Sequence, residues 1–135
     1  AARNVRGPTS ARVTARRLKS LTSIFIRLAV TLAEVGPRTF RAAAIATEKS
    51  ARDIERDAKA FAPVDTGNLR ASIGTDIDVS AASISATVGA TASYAAYVEY
   101  GTSTMAPHAH LGPAYDRHVG EWADALDRLM GGMLG

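Results

Sequence analysis

Between residues 58 and 77 the hydrophobic rhythm of this chain changes from that of a helix to that of a strand, and this change constrains the fold more than any other feature. Upstream, Phe40, Ala44, Thr47, Ala51, Ile54, Ala58 and Phe61 recur at alternating steps of four and three. That spacing puts them on one face of a helix predicted from about residue 38 to Phe61. The opposite face carries Glu48, Lys49, Arg52, Asp53, Glu55, Arg56 and Lys59, with Glu48–Arg52 and Glu55–Lys59 four residues apart as favourable pairs. Downstream the period is two. Ile73, Ile77 and Val79 share one parity and Asp76 and Asp78 the other; Ile84, Ala86 and Val88 then alternate with Ser83, Ser85 and Thr87. Two alternating runs joined by the short polar link 80–82 predict an antiparallel hairpin with one wet face. A chain that holds both periods needs a helical layer and a sheet, which is an α+β domain.

The flanks complete this expectation. Leu18, Leu21, Phe25, Leu28 and Leu32 fall at steps of three and four, predicting a helix from Thr14 that stops at Gly36-Pro37. Residues 1–13 have no apolar period and carry Arg3, Arg6 and Arg12, so they read as a flexible basic arm ahead of a single domain spanning 14–135. The stretch 94–100 reads as a helical turn followed by a strand, and 101–113 as a loop long enough to need a purpose. A last helix, beginning at Pro113, carries Tyr115, Val119, Trp122, Leu126 and Leu129 on one stripe. The expected architecture is N-terminal helices, a small antiparallel sheet, a long loop and a C-terminal helix packed on the sheet.

Composition narrows the chemistry. The 135 residues include no cysteine, which excludes disulfides, a thiolate catalyst and thiolate zinc ligation. No apolar run approaches the ~20 residues of a membrane span, and the N-terminal residues lack a secretory-signal pattern. Charge is unevenly spread. Residues 1–70 hold 14 Lys and Arg against 6 Asp and Glu, a balance of +8, while 71–135 hold 2 against 7, a balance of −5. The asymmetry fits either a basic arm on nucleic acid or an acidic partner, or a polar subunit whose basic end meets the acidic end of the next copy.

Asp65-Thr66-Gly67 is the triplet of aspartic proteases, which need two such carboxylates on β-rich lobes. Here there is one copy, it follows a helix, and no apolar strand flanks it. A structural turn is the better reading: Pro63 stops the helix, Asp65 or Thr66 bonds the turn backbone, Gly67 takes a positive φ, and Leu69 and Ile73 enter the sheet. His108 and His110 form an H-x-H pair, but in a loop flanked by Pro107 and Pro113 and without the carboxylates of a metal site; they read as exposed or interface histidines. No serine sits in a nucleophile elbow and no glycine loop cradles phosphate. Tyr94, Tyr97 and Tyr100 are candidates for stacking on bases, yet no basic residue lies between Ala71 and Asp116, so subunit contact or core packing suits them better. No catalysis and no cofactor is expected.

Three segments in order resemble the minor tail or neck protein family of HK97-type long-tailed bacteriophages. They are Ala62, Pro63, Asp65, Thr66, Gly67, Leu69, Ser72 and Ile73; then Tyr94, Ala95, Val98, Glu99, Gly101 and Thr102; then Pro107, Pro113 and Ala114. The resemblance runs from about Ala44 to Leu129. It implies a non-enzymatic virion protein at the head–tail junction, made in the host cytoplasm. Such a protein would form a hexameric or dodecameric ring with adaptor, stopper and tail-terminator proteins around the DNA passage, with no membrane contact. Under that reading Tyr94, Tyr97, Glu99, Gly101, Thr102, Pro107, His108, His110 and Pro113 are candidate subunit-interface residues. Arg3, Arg6, Arg12, Arg16 and Arg17 are candidate contacts to a partner or to DNA. The alternative is a DNA-binding protein that uses the basic arm.

Overall fold

The computed structural model describes residues 2–6, 12–19, 24–63 and 67–134. It is an α+β fold. In chain order the elements are β1 (Ala2–Arg6), β2 (Arg12–Lys19), β3 (Ile24–Thr31), α1 (Leu32–Val35), α2 (Pro37–Phe61), α3 (Asn68–Ser72), β4 (Ile73–Val79), β5 (Ser83–Ala90), α4 (Ala95–Tyr100) and α5 (Leu111–Leu134). The strands form one antiparallel sheet in the order β1-β2-β3-β5-β4. The helices pack mainly over β3, β5 and β4, while β1 and β2 make their main contacts within the sheet.

The predicted first helix, Thr14 to Val35, is corrected by the structure: its described residues, 14–19 and 24–35, belong to β2, β3 and the short α1. The three–four spacing of its leucines is real, but Ile26, Leu28 and Val30 also alternate with Phe25, Arg27 and Ala29. The alternation prevails because the first set is fully buried and the second only half-buried. β-Branched Ile26 and Val30 suit a pleated surface packed on one side. The strand ends at a capping box. Thr31 Oγ1 accepts from Glu34 N (3.3 Å) and donates to Glu34 Oε1 (2.8 Å), so α1 starts at once. Of residues 1–13, read as a flexible arm, the described ones form β1 and the first two residues of β2.

Other elements follow the sequence closely. Gly36, at φ +79, turns the chain so that Pro37 opens α2, and the helix runs to Phe61 before Pro63. The hairpin β4–β5 pairs Ile73 with Ala90 through Val79 with Ile84. Gly67 has φ +76 and caps α3, a single turn not expected from the sequence; Leu69 is buried there, and of the two residues expected to enter the sheet only Ile73 does so. Val64, Asp65 and Thr66 lie outside the described residues, so the turn bonding expected of Asp65 or Thr66 does too. No strand follows α4, and α5 begins two residues ahead of Pro113.

The core lies between the sheet and the α2–α5 pair. Small residues on α2, namely Ala43, Ala51 and Ala58, let α5 approach closely, and Trp122 fills the space between. Its indole N–H donates to Thr47 Oγ1 (2.8 Å), and that hydroxyl donates to Ala43 O (2.8 Å), so each buried polar group is satisfied. Further along, His118 Nε2 meets Asp57 Oδ2 at 2.5 Å. The pairings 47–122 and 57–118 show that α2 and α5 run in opposite directions.

Candidate functional site

The residues singled out between Tyr94 and Pro113 do come together, but in two distinct roles. The inner role belongs to Glu99. It sits on the core side of α4, 3% exposed, and its carboxylate points at the start of α5. Oε1 accepts from the backbone N–H of His110 (3.0 Å) and of Leu111 (3.0 Å), and Oε2 accepts from that of Gly112 (2.9 Å). A helix begins with backbone N–H groups that have no partner inside it. A carboxylate placed there satisfies them and interacts favourably with the positive end of the helix dipole. His110 adds a fourth contact, with Nδ1 3.1 Å from Glu99 Oε1 and 3.3 Å from the carbonyl of His108. Both neighbours are acceptors, so Nδ1 carries the proton.

The loop between them is tied to α4. Gly101 has φ +78, and a Cβ there would stand 2.7 Å from Pro107 N and 2.9 Å from Met105 O, both backbone atoms. Only glycine meets both demands. Thr102 N donates to Met105 O (2.8 Å) and His108 N to Val98 O (2.7 Å), which folds the loop back on the helix. Glu99 and His110, read as interface residues, therefore lie inside the fold, and Gly101 and Pro107 shape the loop.

The outer role belongs to what this clamp displays. Residues 102–109 are exposed throughout. Tyr94, Tyr97 and Tyr100 are 37%, 47% and 40% exposed along the outer side of α4, with Met105 beside them in the exposed set. Thr102, Pro107 and His108 belong to this surface, and Pro113 is exposed in the first turn of α5. Among the described residues no group of three or more His, Asp or Glu is placed to hold a metal ion. His108 and His110, the candidate metal pair, point apart in environment: one exposed, the other fully buried.

Sequence reasoning missed the second buried pair. Asp57 and His118 are polar residues on the apolar faces of α2 and α5, 61 positions apart, and each is less than a tenth exposed. Arg117 Nη1 (3.5 Å) and Arg56 Nε (3.4 Å) flank the Asp57 carboxylate. The hydrogen bond from His118 holds Asp57 below its ordinary value of 3.8; burial opposes this, and the charges of His118 and Arg117 and a hydrogen bond from Arg56 reinforce it. The available signal was Asp57 itself, a carboxylate next to Ala58 on the buried stripe.

A phage family model matches residues 27–101, from β3 to the glycine that ends α4. This is more than half of the chain, and the chain belongs to that family, described as "Bacteriophage HK97-gp10, putative tail-component". No curated protein and no solved structure matches significantly. The family is one of structural phage tail components, which places this chain among virion proteins. Among the described residues no helix is long and apolar enough to cross a membrane.

Two stability outcomes follow from the buried carboxylates. Replacing Glu99 with Ala leaves three N–H groups at the start of α5 without an acceptor and costs about 3 kcal/mol in urea unfolding; Glu99→Gln, which keeps one acceptor oxygen, falls between Ala and wild type. Unchanged urea midpoints for both variants would refute the clamp. Asp57 contributes stability above pH 3.8 that drains as pH falls through its depressed folded value. Asp57→Asn therefore lowers the thermal midpoint at neutral pH and flattens its decline below about pH 4. Parallel acid limbs for variant and wild type would show that this pair is not linked to folding.

Proposed function

We propose that this phage tail component is a neck subunit, one of several copies forming a ring of six or twelve at the head–tail junction. There it completes the tail and joins it to the adaptor, stopper or tail-terminator layers. The carrying observation is the loop 102–109. It stays exposed along its whole length while its two ends are held by Glu99, Gly101 and the Val98–His108 hydrogen bond. A rigidly anchored, exposed loop beside three half-exposed tyrosines is a surface for contact with another protein, since tyrosine is enriched at interfaces. Tyr94, Tyr97, Thr102, Pro107 and His108 are the residues assigned to that contact. No catalytic step belongs to this reading, and its work is mechanical. Electron microscopy of intact particles labelled with antibody against the chain should place label at the head–tail junction; label along the tail tube, or none on the particle, would overturn the assignment.

A second reading has its own observation. Strands β1 and β2 gather Arg3, Arg6, Arg12, Arg16, Arg17 and Lys19 with no acidic residue among them. Contact with DNA in the passage is the function this would serve. It requires nonspecific duplex affinity that falls steeply between two salt concentrations as counterions are released. Absence of duplex retention in filter binding at low salt removes it.

A further inference from the structure

Among the described residues the sheet has two unpaired edges, β1 and β4, and they carry opposite charge. β1 has Arg3 and Arg6 and no acid; its neighbour β2 adds four more cations. β4 has Asp76 and Asp78 and no base, and no Lys or Arg occurs from Ala71 to Tyr115. The third acid in that range, Glu99, is buried, so the two aspartates set the charge of this edge.

Register places Asp76 and Asp78 on one face together with Arg27, Arg16, Arg12 and Arg6, whereas positions 3, 17 and 19 fall on the other. Asp76 pairs with Thr87, Thr87 with Arg27, Arg27 with Arg16 and Arg16 with Ala2. The next row holds Asp78, Ser85, Ala29, Thr14 and Asn4. Positions 2, 4 and 6 of β1 therefore share the face of Asp76 and Asp78, the face opposite the buried residues on which the described helices pack. Along it lie Asp76 and Asp78 on β4, Ser and Thr on β5, Arg27 between Phe25 and Ala29 on β3, positions 12 and 16 on β2 and position 6 on β1, so acid stands at one edge and base toward the other.

β4 also lacks the usual protection of a free edge. Edge strands are blunted by proline, lysine, bulges or a covering element, because their unpaired N–H and C=O groups invite another strand. β4 is seven residues long, contains neither Pro nor Lys, and leaves Val79 59% exposed. We propose that copies of this chain join head to tail by extending one another's sheets, the basic β1 edge of one copy pairing with the acidic β4 edge of the next. The inference rests on the ring-subunit reading above and names the contact that would build the ring.

Symmetry and charge select this arrangement. Four antiparallel steps separate β1 from β4, so these two edges point the same way. Repetition by rotation then sets β4 beside the neighbour's β1 in parallel and leaves no edge free in a closed ring. A two-fold dimer through either edge would instead face Asp76 and Asp78 with their own copies, or Arg3 and Arg6 with theirs. Like charges directly across a strand pair are destabilising, and opposite charges are stabilising.

The test is sedimentation velocity on the full chain and two charge-reversed variants, Arg3→Glu/Arg6→Glu and Asp76→Lys/Asp78→Lys, with circular dichroism as the check on folding. Wild type associates at low salt and less at high salt. Each variant alone has two edges of like charge and sediments as monomer. Their equimolar mixture restores complementary edges at every junction and regains the wild-type species, which a misfolded variant would not do. Association of both variants to the wild-type extent would overturn the edge pairing while leaving the ring reading intact. A wild-type chain that stays monomeric at all concentrations would remove both. If Arg3→Glu/Arg6→Glu loses duplex DNA binding yet self-associates normally, the arginines serve DNA and the pairing falls.

Discussion

One buried carboxylate organises the C-terminal half of this molecule. Glu99 comes from a helix of only six residues, yet it satisfies three backbone N–H groups and the His110 ring at the start of a 24-residue helix. Burying an isolated charge is costly, so the contact exists only because all four donors converge on it. Their convergence sets where α5 begins and how it lies over the sheet. From that placement follow the Trp122–Thr47 bond and the Asp57–His118 pair, which hold α5 against α2 at two levels. The exposed loop 102–109 is what remains of the chain once both its ends are pinned.

The sheet shows the complementary principle, with one face sealed and one left open. Ile26, Leu28, Val30, Ile84, Ala86 and Val88 close the core under the two long helices. The other face carries Asp76 and Asp78 on β4, Ser85 and Thr87 on β5 and Arg27 on β3, with Phe25 and Ala29 among them. A structural component of a phage tail needs surfaces that bind neighbouring proteins while its own core stays intact. Here the buried pairs are spent inside the subunit, and the tyrosines, the loop and the sheet edges are turned outward.

Much of this was legible in the sequence where a pattern had a single interpretation. α2 has a seven-member stripe with an opposite charged face, and the β4–β5 alternation has aspartates on alternate positions; each excludes the other period. Residues 14–35 had two interpretations. Leu18, Leu21, Phe25, Leu28 and Leu32 fit a helix, and Ile26, Leu28 and Val30 fit a strand. The deciding signals were local: β-branched residues at the alternating positions, Arg27 on the opposite face, and the Thr31–Glu34 capping box, which marks a helix starting where the predicted one would be ending. The importance of Glu99 and Gly101 was visible from the motif, whereas their action was not. Glu99 meets atoms 11 to 13 residues away across a loop with no periodic pattern, and nothing in the intervening composition encodes that distance.

By itself the sequence determined the fold class, the extent of α2, the β4–β5 hairpin, the stripe of α5 and the polarity of charge from one end of the chain to the other. These are local properties, set by periodicity, turn residues and net charge within short windows. Only the tertiary structure decided that His110 and His118 are buried partners of carboxylates, that residues 24–31 join the sheet, and that the acidic and basic strands become its opposite edges. Those outcomes depend on which distant segments share a core. Hydrophobic patterning says that a face must be buried but does not name the element that buries it.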